Sequence, residues 1–249
     1  MKTGIVSVTF RNKDIPTVFE YAKTAGIEGI GWSVGENHVV IGDAERTSLI
    51  KKLSSETGIE IFSLASYCYM YDFDECVKTL ETARELTAPV IRIWAGRKGS
   101  AVCSAEEYDL IVENTVKMAR LAKEYSIKLC FEYHPNTLTD NADEAVKLIK
   151  RINCDNVGLY WQMQGGLSFE ENKRDFEKVK PYVFGNVHLN NYSDETGYKP
   201  LEEIYDDLCG YFKDADKEYN LMIEFVKGGT LESLIADANT VRKALPKRF

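Results

Sequence analysis

The chain is poor in several features that would point to whole classes of protein. No apolar run approaches the roughly 18 residues that span a bilayer, so no transmembrane helix is expected. Positive charge is in deficit: 31 Lys and Arg stand against 39 Asp and Glu, a net charge of -8. Nucleic acid, whose phosphates require a basic surface, is therefore not an expected partner. An anionic membrane surface is disfavoured on the same ground. The six cysteines are scattered and form no CxxC pair, and several fall in apolar runs. They read as small buried hydrophobes in a reducing compartment. The short apolar run near the start is followed at once by Arg11, Asn12, Lys13 and Asp14. No cleaved signal peptide is expected, and the expected location is the cytoplasm. No low-complexity or Pro/Gly/Ser-rich linker interrupts the 249 residues, so residues 1–249 are read as one domain.

What is present is a repeated alternation. Apolar residues make up 44% and charged residues 28%, an ordinary soluble balance. Eight short runs rich in Ile, Val and aromatics recur: GIVSVTF (4–10), IEGIGWS (27–33), IEIFSLAS (59–66), PVIRIWAG (89–96), IKLCFEYH (127–134), NVGLYWQ (156–162), FGNVHLNN (184–191) and NLMIEFV (220–226). Each has the length and composition of a strand buried on both faces. Between them lie longer stretches with helical spacing. Asp14 precedes one, with Pro16 in its first turn and Gly26 at its stop. Ser104 with Glu107, and Ser168 with Glu171, have the spacing of capping boxes. Val112, Val116, Ala119 and Ala122 are spaced as one apolar face. Glu144 with Lys147, and Glu232 with Asp237, read as solvated helix surface. Eight strand–helix alternations predict an α/β fold, a closed (β/α)8 TIM barrel. The doubly wound alternative lacks the GxGxxG turn expected after its first strand.

In such a barrel, chemistry gathers at the C-terminal ends of the strands. The chain has only three histidines, His38, His134 and His188, and none falls in a predicted helix. The last four runs aim Glu132, Gln162, His188 and Glu224 at one rim. Two carboxylates, an imidazole and an amide oxygen suit a divalent ion such as Mn2+, Mg2+, Co2+ or Zn2+. That ion would offset the crowding of the two Glu. Without it, one Glu should carry a raised pKa, suited to a general acid. Trp32, Tyr67, Trp94, Tyr133 and Trp161 lie near the rim. Most read as packing, with Trp32 and Trp161 the candidates to stack on a sugar face. The polar stretch YSDETGYKPL (192–201) has the character of a long loop and is expected to cover the site.

At these residues the chain resembles the xylose isomerase-like TIM-barrel superfamily of sugar phosphate isomerases and epimerases. The resemblance covers nearly the whole chain. It implies that Glu132, Gln162, His188 and Glu224 bind the metal, and that Glu132 and Glu224 act as an acid/base pair on opposite faces of the substrate carbon. The segments RIWAGRKGSA (92–101) and EYHPNTLTD (132–140) also resemble the metal-dependent 3-dehydroshikimate dehydratases of that superfamily. This closer likeness implies that His38, Tyr67, Arg92, Lys98 and His134 face the substrate. Lys98 and Arg92 could hold a carboxylate, a phosphate or sugar hydroxyls. Three positions depart from the pattern. Gln162 stands where the family has an Asp. Gly165 stands where it has a His three residues further on. Asn190, a further candidate substrate contact, stands where the dehydratases have a Lys. An uncharged amide at position 162 should lower metal affinity.

The leading expectation is a divalent-metal-dependent isomerase or epimerase of a small ketose or polyol-like ketone, phosphorylated or not. A proton alpha to the carbonyl would move between Glu132 and Glu224 through a metal-stabilised enediolate. One alternative is a lyase of the 3-dehydroshikimate dehydratase or inosose dehydratase type, with His134 or Lys98 assisting loss of a hydroxyl. Another is a degenerate member that binds a sugar or a partner protein without chemistry. The expected partner is a sugar-like small molecule. Homo-oligomerisation is left open.

Overall fold

Eight short strands pair edge to edge, all in parallel, until the first meets the last. The computed structural model describes residues 1–212, 215 and 217–245. The barrel strands are β1 (Lys2–Val6), β2 (Gly29–Ser33), β3 (Glu60–Ala65), β4 (Val90–Ile93), β5 (Lys128–Glu132), β6 (Val157–Gln162), β7 (Val183–Leu189) and β10 (Asn220–Ile223). A two-stranded antiparallel hairpin, β8 (Tyr192–Ser193) and β9 (Gly197–Tyr198), is inserted after β7. Eight helices lie between or after the barrel strands: α1 (Ile15–Thr24), α2 (Ala44–Thr57), α3 (Phe73–Leu86), α4 (Ala105–Glu124), α5 (Ala142–Ile152), α6 (Phe169–Val179), α7 (Tyr205–Phe212) and α8 (Leu231–Ala244). The predicted (β/α)8 barrel is the observed fold. The strands are shorter than the apolar runs. The first run turns at Ser7 into one 3-10 turn, Ser7–Phe10, instead of staying extended. Among the described residues no helix is long and apolar enough to cross a membrane.

The helices start where short polar side chains can take up free backbone N–H groups. Asp14 accepts from the Thr17 N–H at 3.0 Å. Ser168 and Glu171 close a reciprocal capping box. At Ser104 only half of the expected box forms. Its Oγ accepts the Glu107 N–H at 3.2 Å, while the Glu107 carboxylate turns away to Lys98 and the Tyr71 hydroxyl. The buried face of α4 is Ile111, Thr115, Met118, Ala119 and Ala122. Val112 and Val116 sit at its flank and are only partly covered. Asp237 also departs from expectation. It is buried, not solvated, and its Oδ1 accepts the Leu201 N–H at 2.8 Å. That bond anchors the segment that follows the hairpin.

Alternation along the strands divides the side chains into two sets. Ile91, Ile93, Leu129, Phe131, Leu159, Trp161, Val187, Leu189, Leu221 and Ile223 join the large cluster between sheet and helices. The opposite parity faces the barrel axis. Val90, Cys130 and Tyr160 pack together there, and Val6, Phe62, Ala65 and Met222 form a second axial cluster. Phe62 lies so close to Gly4 and Gly29 that a Cβ on Gly29 would stand 2.2 Å from its ring. The interior is thus filled with side chains low down, and polar groups crowd its upper end.

Candidate active site

The inward parity of the later strands leads upward to charged and polar groups. On β5 it runs Cys130, Glu132 and then His134 beyond the strand end. On β6 it runs Tyr160, Gln162 and then Gln164. On β7 it is Asn186, His188 and Asn190, and on β10 it is Met222 and then Glu224. Register sets Gln162 and Met222 both level with His188. Glu224 lies two residues beyond Met222, with its N–H bonded to Leu189 O at 2.9 Å. Glu132, Gln162, His188 and Glu224 are all buried.

His188 is the centre of this floor. Its Nδ1 lies 3.3 Å from Glu224 Oε2 and 3.8 Å from Glu132 Oε1. Neither ring nitrogen completes a hydrogen bond. A fully buried imidazole whose nitrogens complete no hydrogen bond is costly. The Tyr160 ring meets His188 edge-on at 5.2 Å. A polar layer lies beneath: Asn186 donates to the Tyr160 hydroxyl, and Asn220 donates to Asn186 at 2.8 Å. Burial pulls the His188 pKa down, but Glu224 and Glu132 outweigh it and leave it raised. Burial works against charge on Glu224. His188 and Arg92 overcome it and hold that carboxyl below its ordinary value.

Ligand atoms of Glu132, His188 and Glu224 can all lie within 4.8 Å of one another. Two carboxylates around an imidazole with unsatisfied nitrogens fit a divalent cation of intermediate hardness. Gln162, abreast of His188, could add an uncharged oxygen. The chemistry of the donors therefore fits the expected metal.

A cavity of about 550 Å3 opens above this floor, lined by Glu132, Gln162 and Glu224 together with Tyr67, Arg92, His134 and Asn190. Arg92 is buried and forms an ion pair with Glu132. Its guanidinium lies 5.0 Å from the Trp94 ring centre and 5.3 Å from that of Tyr67. Tyr67 and Trp94 stack at 6.3 Å, and Trp94 meets His134 edge-on at 4.9 Å. The His134 Nδ1 is engaged by the Pro135 carbonyl at 2.7 Å. The hairpin covers one side, where Tyr198 packs on Phe225 at 4.7 Å. Burial, with Glu224 nearby, pushes the Tyr198 phenol up to about 12, so it remains a hydrogen-bond donor.

Three of the residues expected to face a substrate lie elsewhere. His38 is buried beside the first 3-10 turn, with Nδ1 at 3.0 Å from Ser7 Oγ and Nε2 at 3.1 Å from Lys13 O. Both its nitrogens are occupied, so it acts as a brace. Lys98 is exposed and paired with Glu107 at 2.7 Å. Trp161 has the outward parity and packs on Phe176 and Tyr211 at 4.4 and 5.2 Å. Trp32, the other stacking candidate, is likewise buried against Phe19 at 5.2 Å. Trp94, expected near the rim as a packing residue, lines the cavity, as does Gln164, which the sequence reading does not include; both continue the inward parity of β4 and β6. Arg11 and Phe225 carry no such signal. Phe225 enters the wall because its backbone turns left-handed at φ 64° just after Glu224.

A closed parallel barrel with a buried Glu–His–Glu centre at its C-terminal rim defines a class of barrel built around a polar rim site. The chain belongs to the xylose isomerase-like TIM barrel family, which it matches over residues 19–212. A 3-dehydroshikimate dehydratase from Bacillus anthracis is 24% identical over 250 residues, covering 87% of this chain and 88% of that protein. The crystal structure of the probable 3-DHS dehydratase of petrobactin synthesis from the same organism shares the fold at TM-score 0.78 and 21% identity, over 97% of this chain and 99% of that one. A xylose isomerase-like barrel from Mycobacterium smegmatis in complex with magnesium gives 0.74 and 16%, over 98% and 96%. A D-psicose 3-epimerase from Clostridium cellulolyticum H10, with D-tagatose, gives 0.73 and 15%, over 99% and 100%. Proteins of similar fold thus include both epimerases and a dehydratase.

Proposed function

We propose that this chain is a divalent-metal-dependent isomerase or epimerase of a small ketose or polyol-like ketone. The observation that carries the reading is the pair of buried carboxylates, Glu132 and Glu224, that both approach His188 Nδ1 at the floor of one cavity. Glu132, Gln162, His188 and Glu224 would hold the ion. When bound, the ion supplies Lewis acidity toward a substrate carbonyl. The chain supplies the proton chemistry. Glu224, kept ionised by His188 and Arg92 against its burial, is suited to take the proton alpha to the carbonyl. Glu132, held by Arg92, would return one. The Tyr67–Trp94 wall offers a flat apolar surface for the C–H face of a sugar. The hairpin, with Tyr198, limits access of water from its side.

The lyase reading has its own support: His134 lines the cavity next to Glu132, and the curated relative is a dehydratase. Against it, Asn190 offers no ionisable group to a departing hydroxyl. One experiment separates the readings. Manganese-loaded protein is incubated in deuterium oxide with a panel of ketoses and with 3-dehydroshikimate. Deuterium at the carbon alpha to the ketone, with an inverted epimer, is the expected outcome. Glu132→Gln and Glu224→Gln should each lower that rate by about 10² or more, as loss of a general acid or base does. Retention of full turnover in both variants would sink the mechanism. An aromatic product from 3-dehydroshikimate without ketose exchange would establish the lyase instead.

A further inference from the structure

Three sulfur atoms meet beneath the loop that follows β3, away from the metal centre of the cavity. Cys68 Sγ lies 3.4 Å from Cys76 Sγ and 3.7 Å from Met70 Sδ, and Cys76 Sγ lies 3.9 Å from the same thioether. All three residues are fully buried. The point equidistant from three atoms so spaced lies about 2.1 Å from each, close to the roughly 2.3 Å of a metal–thiolate bond. Simple core packing would produce sulfur contacts without demanding anything of the backbone. Here they come with an uncommon backbone conformation at Met70. Met70 is left-handed at φ 65°, a conformation that an L-residue with a side chain seldom adopts. The buried Asn114 holds it there by donating to Met70 O at 2.9 Å.

We propose that Cys68, Met70 and Cys76 form a second metal site, trigonal and all-sulfur, that takes a soft monovalent cation of the copper(I) type. The donor set selects the ion. Two thiolates and a thioether favour Cu(I), whereas Zn2+ in a structural site takes four ligands. Cys76 is the fourth residue of α3, which places its Sγ beside the loop that carries Cys68 and Met70. The two cysteines share a hydrogen bond that lowers the Cys68 thiol and, together with burial and the nearby Glu75 and Asp72, raises that of Cys76, so the cation itself must displace the second proton. Binding replaces two thiol protons by one cation, so each Cu+ taken up releases two H+ and changes no oxidation state. The site lies just behind the substrate wall, since Cys68 O accepts the Trp94 N–H at 2.9 Å. It shares no ligand with the catalytic floor and stands or falls independently of the proposed reaction.

The test uses the whole chain, fully reduced and free of oxygen, titrated with Cu(I) held as its coloured bicinchoninate complex. The chain is expected to withdraw one equivalent of Cu(I), with X-ray absorption reporting three sulfur neighbours. The Cys68→Ser/Cys76→Ser double variant should lose that equivalent and keep only the weak background of the remaining four cysteines. Met70→Leu conserves volume and should fold. It should weaken Cu(I) retention by tenfold or more and leave two sulfur neighbours. The proposal is overturned if the parent retains no more copper than the double-serine variant. It is also overturned if Met70→Leu binds copper as tightly as the parent, a result that decides the matter even if the double variant fails to fold. Excess Zn2+ should not displace the copper, and ready displacement would contradict a three-sulfur site.

Discussion

Replacing Arg92 with Met probes how the two carboxylates of the floor are kept together. Arg92 is buried, and its guanidinium is the fixed cation paired with Glu132. Methionine preserves much of the apolar stem but removes the charge. Glu132 would then face Glu224 across His188 with one imidazole to share. Deleting one partner of a buried ion pair costs about 3–5 kcal/mol. The contacts to Tyr67 and Trp94 add about 0.5–1 kcal/mol each. For a chain of this size, 1 kcal/mol moves the melting temperature by roughly 2–4 °C. A fall of about 8–28 °C is therefore expected in chelator. A divalent cation should restore part of it, because binding to the folded state alone stabilises by mass action. The gain from manganese should be larger in Arg92→Met than in the parent, since the ion then supplies the missing charge. Calorimetric melts of both proteins, with chelator and with excess manganese, read all four states. A variant that melts within about 2 °C of the parent in chelator would refute the reasoning, as would an equal manganese shift in both.

Two further changes test other parts of the structure. Gln162→Asp adds a charged oxygen level with His188 and should tighten manganese binding by about tenfold or more, equivalent to roughly 1.4 kcal/mol; isothermal titration showing equal or weaker binding would exclude position 162 from the ion. Burial raises the Asp237 carboxyl from 3.8 to about 6 despite the Leu201 N–H bonded to it. The folded chain thus holds this proton more tightly than the unfolded chain. The resulting stability is fully present below about pH 4 and is lost as pH rises through about 6, a span of about 3 kcal/mol. Asp237→Asn keeps an oxygen for the Leu201 N–H, so it should melt higher than the parent above pH 6.5 and lose this pH dependence. Parallel melting curves from pH 4 to 8 would show that the carboxylate is not the cause.

The fold was legible because each strand run had a composition that only a doubly buried strand tolerates, and the breaks between runs held recognisable caps. The floor was legible for a related reason: Glu, Gln, His and Glu at the ends of four apolar runs have no packing role. The errors at the wall have particular causes. Trp161 was weighed by its chemistry and its nearness to Gln162, although adjacent strand residues face opposite sides. His38 and Lys98 depended on loop paths that no periodicity records. Asp237 looked solvated because α8 was read as a surface helix, while the segment after the hairpin comes back to bury that position. The left-handed turn at Phe225 and the sulfur cluster around Met70 leave no trace in hydrophobic pattern. Both arise from backbone conformations that an L-residue adopts only when its surroundings compel it.

The alternation of the barrel strands has an evolutionary consequence. Residues of one parity hold the helices to the sheet, and residues of the other parity form the polar floor of the cavity. An exchange at 162, 188, 190 or 224 can therefore change the polar floor while the neighbouring Trp161, Val187, Leu189 and Ile223 go on packing as before. Substitutions that respect this division can explore new reactions one rung at a time. A single-residue insertion within β5 or β7 would instead exchange the two sets, withdrawing the polar groups from the cavity and displacing the apolar side that packs on the helices.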